Sequence, residues 1–336
     1  MRIVIATDAW HPQTNGVVTT LLKTGDVLKQ QGHEVMYLTP EPFKTVPLPT
    51  YAEIRLSLFP GRKISGMLDE FQADAIHIAT EGPIGFAVRA YCLKNKRPFT
   101  SSYHTQYPEY IKLRFPVPLS ISYRFLRWFH APAVRTMVPT ASQRKMLELW
   151  KFKNIEIWSR GVDTDLFKPG DNHADECRRP MFIYVGRVAP EKNLDAFLAL
   201  ELPGVKVIVG DGPDMARLSQ RYPDAVFTGY QYGEELARTI AAADVFVFPS
   251  KTDTFGLVML EAMACGVPIA AFPVTGPIDV VIDGETGVLN DDLGKAAQAA
   301  LRLDRAAPRR YALDHSWIKS TAYFFNYLAP VNLSRH

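Results

Sequence analysis

Two acids stand in an otherwise apolar segment, PSKTDTFGLVMLEAMACGVP (249–268): Asp253 and, eight residues later, Glu261. A carboxylate accepts two hydroxyl hydrogen bonds well, which suits diols. Asp253 and Thr254 precede a helix-forming run from Gly256 to Cys265. The backbone amides of Phe255, Gly256 and Leu257 at its start can receive a phosphate, and Gly256 lets a ligand approach closely. Glu261 lies roughly 12 Å further on, at ~1.5 Å per residue. A ligand with a hydroxyl-rich group, phosphates and a ribose would meet Asp253, the helix start and Glu261 in that order. The competing reading, an N-cap aspartate beside an incidental acid, explains Asp253 but gives Glu261 no reason to stand in an apolar helix.

Arg187 and Lys192 flank a second stretch, RVAPEKN (187–193), which leads into a helix near Asn193. Two cations at a helix N-terminus make a natural seat for phosphate, because side-chain charge, backbone N–H groups and helix dipole act together. A solvated loop with a capping pair is the alternative. A third stretch is basic: residues 111–153 hold nine Lys and Arg and one acid, Glu148. Lys112 and Arg114 open it, and in PLSISYRFLRWFHAP the cations Arg124 and Arg127 share a helical face, with Tyr123, Phe125, Trp128 and Phe129 around them. Such interleaving suits an anionic bilayer surface; an ordinary helix packed on a sheet with its basic edge in water also fits. No nucleic-acid-binding motif accompanies it.

The elements that position these residues follow from the rest of the chain. The 336 residues suit two domains of ordinary size, and 47% hydrophobic with 22% charged residues is normal for a soluble protein. The net charge of +3 conceals an asymmetry: residues 1–158 carry 20 Lys and Arg against 12 Asp and Glu, the remainder 18 against 23. A basic and an acidic half suggest domains with different tasks. Cys92, Cys177 and Cys265 are far apart and odd in number, so neither a disulfide framework nor a metal cluster is expected, which fits a reducing cytoplasm. MRIVIATDAW reads as a first strand rather than a signal peptide. The longest apolar stretch, Phe255–Val274, contains Glu261 and is broken by Gly266 and Pro268, so it reads as a helix followed by a buried strand.

Apolar runs alternate with amphipathic segments in both halves, the pattern of parallel sheets wrapped by helices. Strands are predicted at 3–7, 34–39, 75–78 and 99–103, with a helix at 17–31 closed by Gly32. In the second half strands are predicted at 182–186, 205–210, 225–229 and 245–249, and helices at 194–199, 233–243 and 256–265. The expected architecture is α/β: two Rossmann-like, doubly wound domains facing a cleft. Their expected bounds are 1–160 and 181–315, joined by a polar linker at 161–180 and followed by an amphipathic last segment at 316–336. Ligands of such sheets bind beyond the carboxyl ends of the strands. The important loops are therefore DAWHPQTNG (8–16), HTQYPEY (104–110), RVAPEKN, DGP (211–213) and SKTDTFG (250–256).

In order along the chain, SRGVDTDLF, GRVAPEKN, GDGP, PSKTDTFGLVMLEAMACGVP and GPIDVVIDGETGVL resemble the retaining glycosyltransferases of the GT-B type, family four. The resemblance covers essentially the whole chain and implies that 1–160 binds the acceptor, that 181–315 binds the nucleotide sugar and that 316–336 is a last helix crossing back to the first domain. DAWHPQTNGVV and SSYHTQYPEY are similar to the subgroup that glycosylates lipids, including sulfoquinovosyl- and glucuronosyl-diacylglycerol synthases. It implies that Arg187 and Lys192 bind the donor diphosphate, Glu261 the ribose and Asp253 the transferred sugar, with Gly229 near the base. Gly16, after Asn15, packs on the diphosphate, and His104 sits near the anomeric centre. The family's acid pair is usually Glu with Glu; Asp253 sets its carboxylate about 1.5 Å further back. The resemblance also implies front-face attack with retention, a UDP-glucose or UDP-glucuronic acid type of donor, and a lipid such as diacylglycerol as acceptor at the inner face of the cytoplasmic membrane. GDP-mannose with a glycolipid or polysaccharide acceptor is the alternative. Asp163-Thr164-Asp165 spells the Asp-x-Asp of metal-dependent glycosyltransferases, but it falls in an interdomain turn, where capping is expected. No metal or other cofactor is expected. A dinucleotide-dependent oxidoreductase would need G-x-G-x-x-G after a strand, which TDAWHPQTNG and GDGP do not provide.

Overall fold

The computed structural model describes residues 1–13, 15–48, 51–114, 117–170 and 179–331, without the side chains of 48, 51–53, 110–111 and 113–114. Cys177, the Arg114 side chain and positions 171–178 of the expected linker lie outside that description. The chain forms two compact units, one of Met1–Ser159 with Trp317–His336, the other of Arg160–Ser316.

In the first unit β1 (Arg2–Ala6), α1 (Gly16–Gln30) and β2 (Glu34–Leu38) are followed by a hairpin of β3 (Thr45–Leu48) and β4 (Tyr51–Ser57). Then come α2 (Gly61–Phe71), β5 (Ala75–Ile78), α3 (Pro83–Lys94) and β6 (Thr100–Ser102). The unit continues with α4 (Tyr107–Arg114), α5 (Leu119–His130), β7 (Thr136–Val138), α6 (Ala141–Leu149) and β8 (Ile155–Ile157). Six parallel strands pair in the order β2-β1-β5-β6-β7-β8. Alternate side chains of β1 serve opposite cores, as the strand period of two requires. Val4 and Ala6 join Ile64, Leu68 and Val88 of α2 and α3. Ile3 and Ile5 join Leu21 and Leu28 of α1, with Phe324 and Leu328 from the chain's end.

The second unit begins with β9 (Met181–Val185), α7 (Leu194–Leu198), β10 (Val205–Val209), α8 (Met215–Arg221) and β11 (Val226–Gly229). Next are α9 (Gly233–Ala241), β12 (Val245–Phe248), α10 (Leu257–Ala264) and β13 (Ile269–Ala271). It ends with α11 (Pro277–Val280), β14 (Gly287–Leu289), α12 (Leu293–Ala300) and α13 (Ala306–Leu313). Its six parallel strands run β11-β10-β9-β12-β13-β14. Ile183, Phe246 and Phe248 pack on α9 and α10, while Phe182, Tyr184 and Val247 pack on α7 and α12. The last helix, α14 (Trp317–Tyr327), returns to the first unit and packs on α1.

Residues 161–170, expected as linker, pack within the second unit. Val162 and Phe167 are buried in its core, and Arg309 donates to the carbonyls of Thr164, Phe167 and Ala264. Polarity and a Pro-Gly pair resemble a linker in sequence, but two apolar anchors and one arginine suffice to pin the stretch. Asp163 caps a turn there, accepting from the Leu166 amide at 3.1 Å.

Candidate active site

In each sheet the strand order reverses once, between β9 and β12 in the second unit and between β1 and β5 in the first. Loops leaving the carboxyl ends of adjacent strands at such a point diverge to opposite faces and open a crevice. In the second unit those loops carry the residues singled out from sequence. The β9 loop holds Arg187 and turns through Pro190–Lys192; the β12 loop holds Asp253, Thr254 and Phe255. Lys192 Nζ donates to Asp253 Oδ1 at 2.6 Å, and Asn193 Nδ2 donates to the Pro249 carbonyl at 3.0 Å, so the two loops are tied together. Both members of the ion pair are largely shielded, their side chains 21% and 17% exposed. The other carboxylate oxygen, Asp253 Oδ2, is buried with no hydrogen-bond partner. A buried acceptor without a donor costs about 1–3 kcal/mol. It is therefore a place where a ligand hydroxyl would be welcome.

The helix after this loop begins at Leu257, one residue later than expected, because Gly256 is left-handed at φ 81°. The amides of Phe255, Gly256 and Leu257 find no backbone carbonyl among the described residues. Glu261 lies just over a turn into α10, half-buried, and Phe255 is buried. Gly229 ends β11, where the register with β10 shifts. Gly210 and Gly212 set the β9 loop against β10: a Cβ on Gly210 would lie 1.9 Å from the Gly186 carbonyl oxygen, and one on Gly212 2.3 Å from that of Val188. The GDGP motif is thus a packing device that seats Arg187.

In the first unit the reversal point is organised by Asp8, which the sequence reading passed over. Its carboxylate accepts from the Ile84 amide at 2.9 Å, the Gly85 amide at 3.3 Å and Thr80 Oγ1 at 2.9 Å. It therefore joins the β1 loop to the start of α3, and Gly82 is required beside it, since a Cβ there would lie 2.4 Å from Asp8 Cγ. The signal available in sequence was an aspartate directly after an apolar strand. Burial pushes its carboxyl up to about 6, against the lowering effect of those hydrogen bonds. An acid whose folded pKa exceeds its unfolded value stabilises the fold below the unfolded pKa and loses that contribution as pH rises through the folded one. Relative to Asp8→Asn, the native protein should lose roughly 3 kcal/mol between about pH 4 and pH 7. Urea melts of both proteins across that range check it; a pH-independent difference would refute it.

The remaining first-unit residues divide by what they touch. Asn15 is the N-cap of α1, its Oδ1 accepting from Val17 and Val18 at 3.0 and 3.1 Å, which fixes the turn at the exposed Gly16. His104 follows β6, buried, with its ring 5.7 Å from that of Trp158. Lys112 is exposed on α4. The α5 aromatics separate: Tyr123 and Phe129 turn inward and are fully buried, whereas Phe125 and Trp128 are about half exposed beside the exposed Arg124. The Arg89 guanidinium lies 4.1 Å above the Trp128 ring and donates to the Phe129 and Trp128 carbonyls, anchoring the end of the helix. Arg127 donates to the Trp150 carbonyl at 3.1 Å. Among the described residues no helix is long and apolar enough to cross a membrane.

Two family profiles match the chain in succession, one described as "Glycosyltransferase Family 4" over residues 14–166 and one as "Glycosyl transferases group 1" over 179–305. A GDP-mannose-dependent alpha-mannosyltransferase of Mycobacterium tuberculosis is 31% identical over 318 residues, covering 86% of this chain and 83% of its own length. The sulfoquinovosyl transferase SQD2 of Arabidopsis thaliana is 32% identical over 296 residues, covering 78% of this chain and 58% of its own. Among solved structures, sucrose-phosphate synthase from Thermosynechococcus elongatus superposes with a TM-score of 0.78 at 22% identity, with 97% of each chain covered. This chain belongs to glycosyltransferase family 4, a GT-B enzyme that transfers a hexose from a nucleotide-sugar donor.

Proposed function

We propose that the chain is a retaining mannosyltransferase that moves mannose from GDP-mannose to a hydroxyl of a membrane lipid, working as a peripheral protein at the cytoplasmic face. The observation that carries the reading is Asp253, with one oxygen held by Lys192 and the other buried without a donor. That carboxylate is fixed before any ligand arrives and has one acceptor left for a sugar hydroxyl. Arg187 and Lys192 take the diphosphate with the amides at the head of α10, and Glu261 takes the ribose. Cleavage of the sugar–phosphate bond leaves charge growing on the diphosphate while the sugar becomes oxocarbenium-like. Preset cations stabilise that charge without reorganising, usually the largest single catalytic contribution. The leaving phosphate then accepts the proton of the acceptor hydroxyl attacking from the same face. The family resemblance assigns His104 to the donor sugar.

GDP-mannose is favoured because the relative named for it aligns over most of both chains. A UDP-sugar passed to diacylglycerol is the second reading, supported by the similarity to SQD2 and by the resemblance of the DAWHPQTNGVV and SSYHTQYPEY stretches to the lipid-glycosylating subgroup. The test is mass spectrometry of anionic vesicles containing diacylglycerol or phosphatidylinositol, incubated with the protein and separately GDP-mannose, UDP-glucose or UDP-glucuronic acid. GDP-mannose is expected to add a hexosyl mass to lipid, at a rate that a chelator leaves unchanged because the cations are Arg187 and Lys192. A hexuronosyl product would select the second reading. Slow donor hydrolysis with no lipid product would end the lipid-acceptor reading.

A further inference from the structure

A pocket of about 380 Å³ opens on the first unit, lined by one stripe of α5 and the turn that ends α6. Its cations are Arg124, Arg127 and Lys151, and its apolar wall is Ile121, Leu149 and Trp150. The volume falls in the range of small-ligand sites. We propose that this pocket binds the phosphate headgroup of an anionic membrane phospholipid, separately from the lipid that accepts the sugar. The proposal rests on the peripheral-membrane reading above and gives it a specific contact.

Charge complementarity identifies the occupant. Glu148, the one acid in 111–153, is taken by Arg144 at 2.9 Å, and no described carboxylate pairs with Arg124, Arg127 or Lys151. Arg127 is held toward the turn by its bond to the Trp150 carbonyl, and Trp150 stacks on the buried Tyr123 with ring centroids 4.3 Å apart. The walls are therefore fixed by the helix's inner face. Leu149 is 83% exposed and Ile121 49% exposed, which is unfavourable in water and expected where acyl chains begin. Phe125 and Trp128 stand half exposed on the neighbouring stripe of α5, and exposed aromatic side chains beside cations suit a bilayer interface. Three clustered cations with an apolar rim match a phosphodiester attached to a hydrocarbon better than free phosphate, which has no use for the rim.

The experiment is flotation of the full chain with acceptor-free phosphatidylcholine vesicles, with and without about 30 mol % phosphatidylglycerol. Binding is expected only with phosphatidylglycerol, and Arg124→Ala and Lys151→Ala should each weaken it about five-fold. Leu149→Asp should abolish it. Lys145→Ala and Lys153→Ala remove equal charge outside the pocket and should weaken binding less than two-fold. Unchanged melting temperatures verify folding, since all five positions are at the surface. Equal losses at all four cations would replace the pocket with diffuse surface charge. Binding of inorganic phosphate without binding of vesicles would also overturn the proposal. Pocket-dependent flotation without lipid glycosylation would keep the pocket and end the acceptor reading, so the two fail separately.

Discussion

Lys192→Ala should lower kcat by at least about a hundred-fold, the loss seen when one preset electrostatic donor is removed from a transition state. Lys192 does two things in the structure. It brings a positive charge to the head of the β9 loop, and it holds Asp253 through the 2.6 Å contact. Without it, a shielded carboxylate with no counter-ion would face an incoming diphosphate, so binding should weaken as well. Arg187→Ala removes charge but leaves the Lys192–Asp253 pair, and should raise KM for the donor more than it lowers kcat. Asp253→Asn keeps an acceptor near Lys192 but loses the ion pair, and should fall between the two. If the residues act as one unit, Lys192→Ala combined with Asp253→Asn will be little worse than Lys192→Ala alone. Steady-state kinetics on the four proteins decide this. A Lys192→Ala enzyme with native kcat and only a raised KM would mean that the cation binds the ground state alone.

The parts of this arrangement legible in sequence are those fixed by local pattern. Short β-branched runs gave β1, β2, β5 and β9–β12 within a residue or two, because buried parallel strands must be continuously apolar. The polar loops after them could be named because α/β sheets place ligands there. What could not be read was anything decided by distant partners. The strands β7, β8 and β14 are three residues each and sit at or near sheet edges, too short for a pattern. The strand β3 contains Pro47, which argues against a strand locally. Asp8 looked like an ordinary loop acid, and only the fold brings Thr80 and the start of α3 to it. The inward turn of Tyr123 and Phe129 likewise depends on which side of α5 meets the sheet, and aromatic residues surround that helix on all sides. The charge asymmetry sharpens once the units are known, since Lys319 on the last helix belongs with the basic one and the described acids of the second half with the other.

The GDGP loop offers the sharpest structural test. Gly210→Ala should destabilise the second unit by about 4 kcal/mol, near the upper end for a single substitution. Gly210 has φ 138°, and its added Cβ would lie 1.9 Å from the Gly186 carbonyl oxygen. That oxygen has no easy retreat. Gly186 N bonds the Val209 carbonyl, Val188 N bonds that of Asp211, and Asp214 N returns to that of Val188. Relief must come from moving the β9 loop, and with it Arg187, so the surviving folded protein should also bind donor more weakly. Gly284→Ala introduces a positive-φ alanine without a clash: Gly284 has φ 79°, against 138° at Gly210, and nothing lies within 4 Å of its added Cβ. Left-handed strain alone costs about 1–2 kcal/mol. For a unit of this size the expected fall in melting temperature is therefore roughly 10 °C for Gly210→Ala and under about 6 °C for Gly284→Ala. Equal falls would mean that the β9 and β10 loops can separate at little cost, and the close approach could then no longer account for how Arg187 is held.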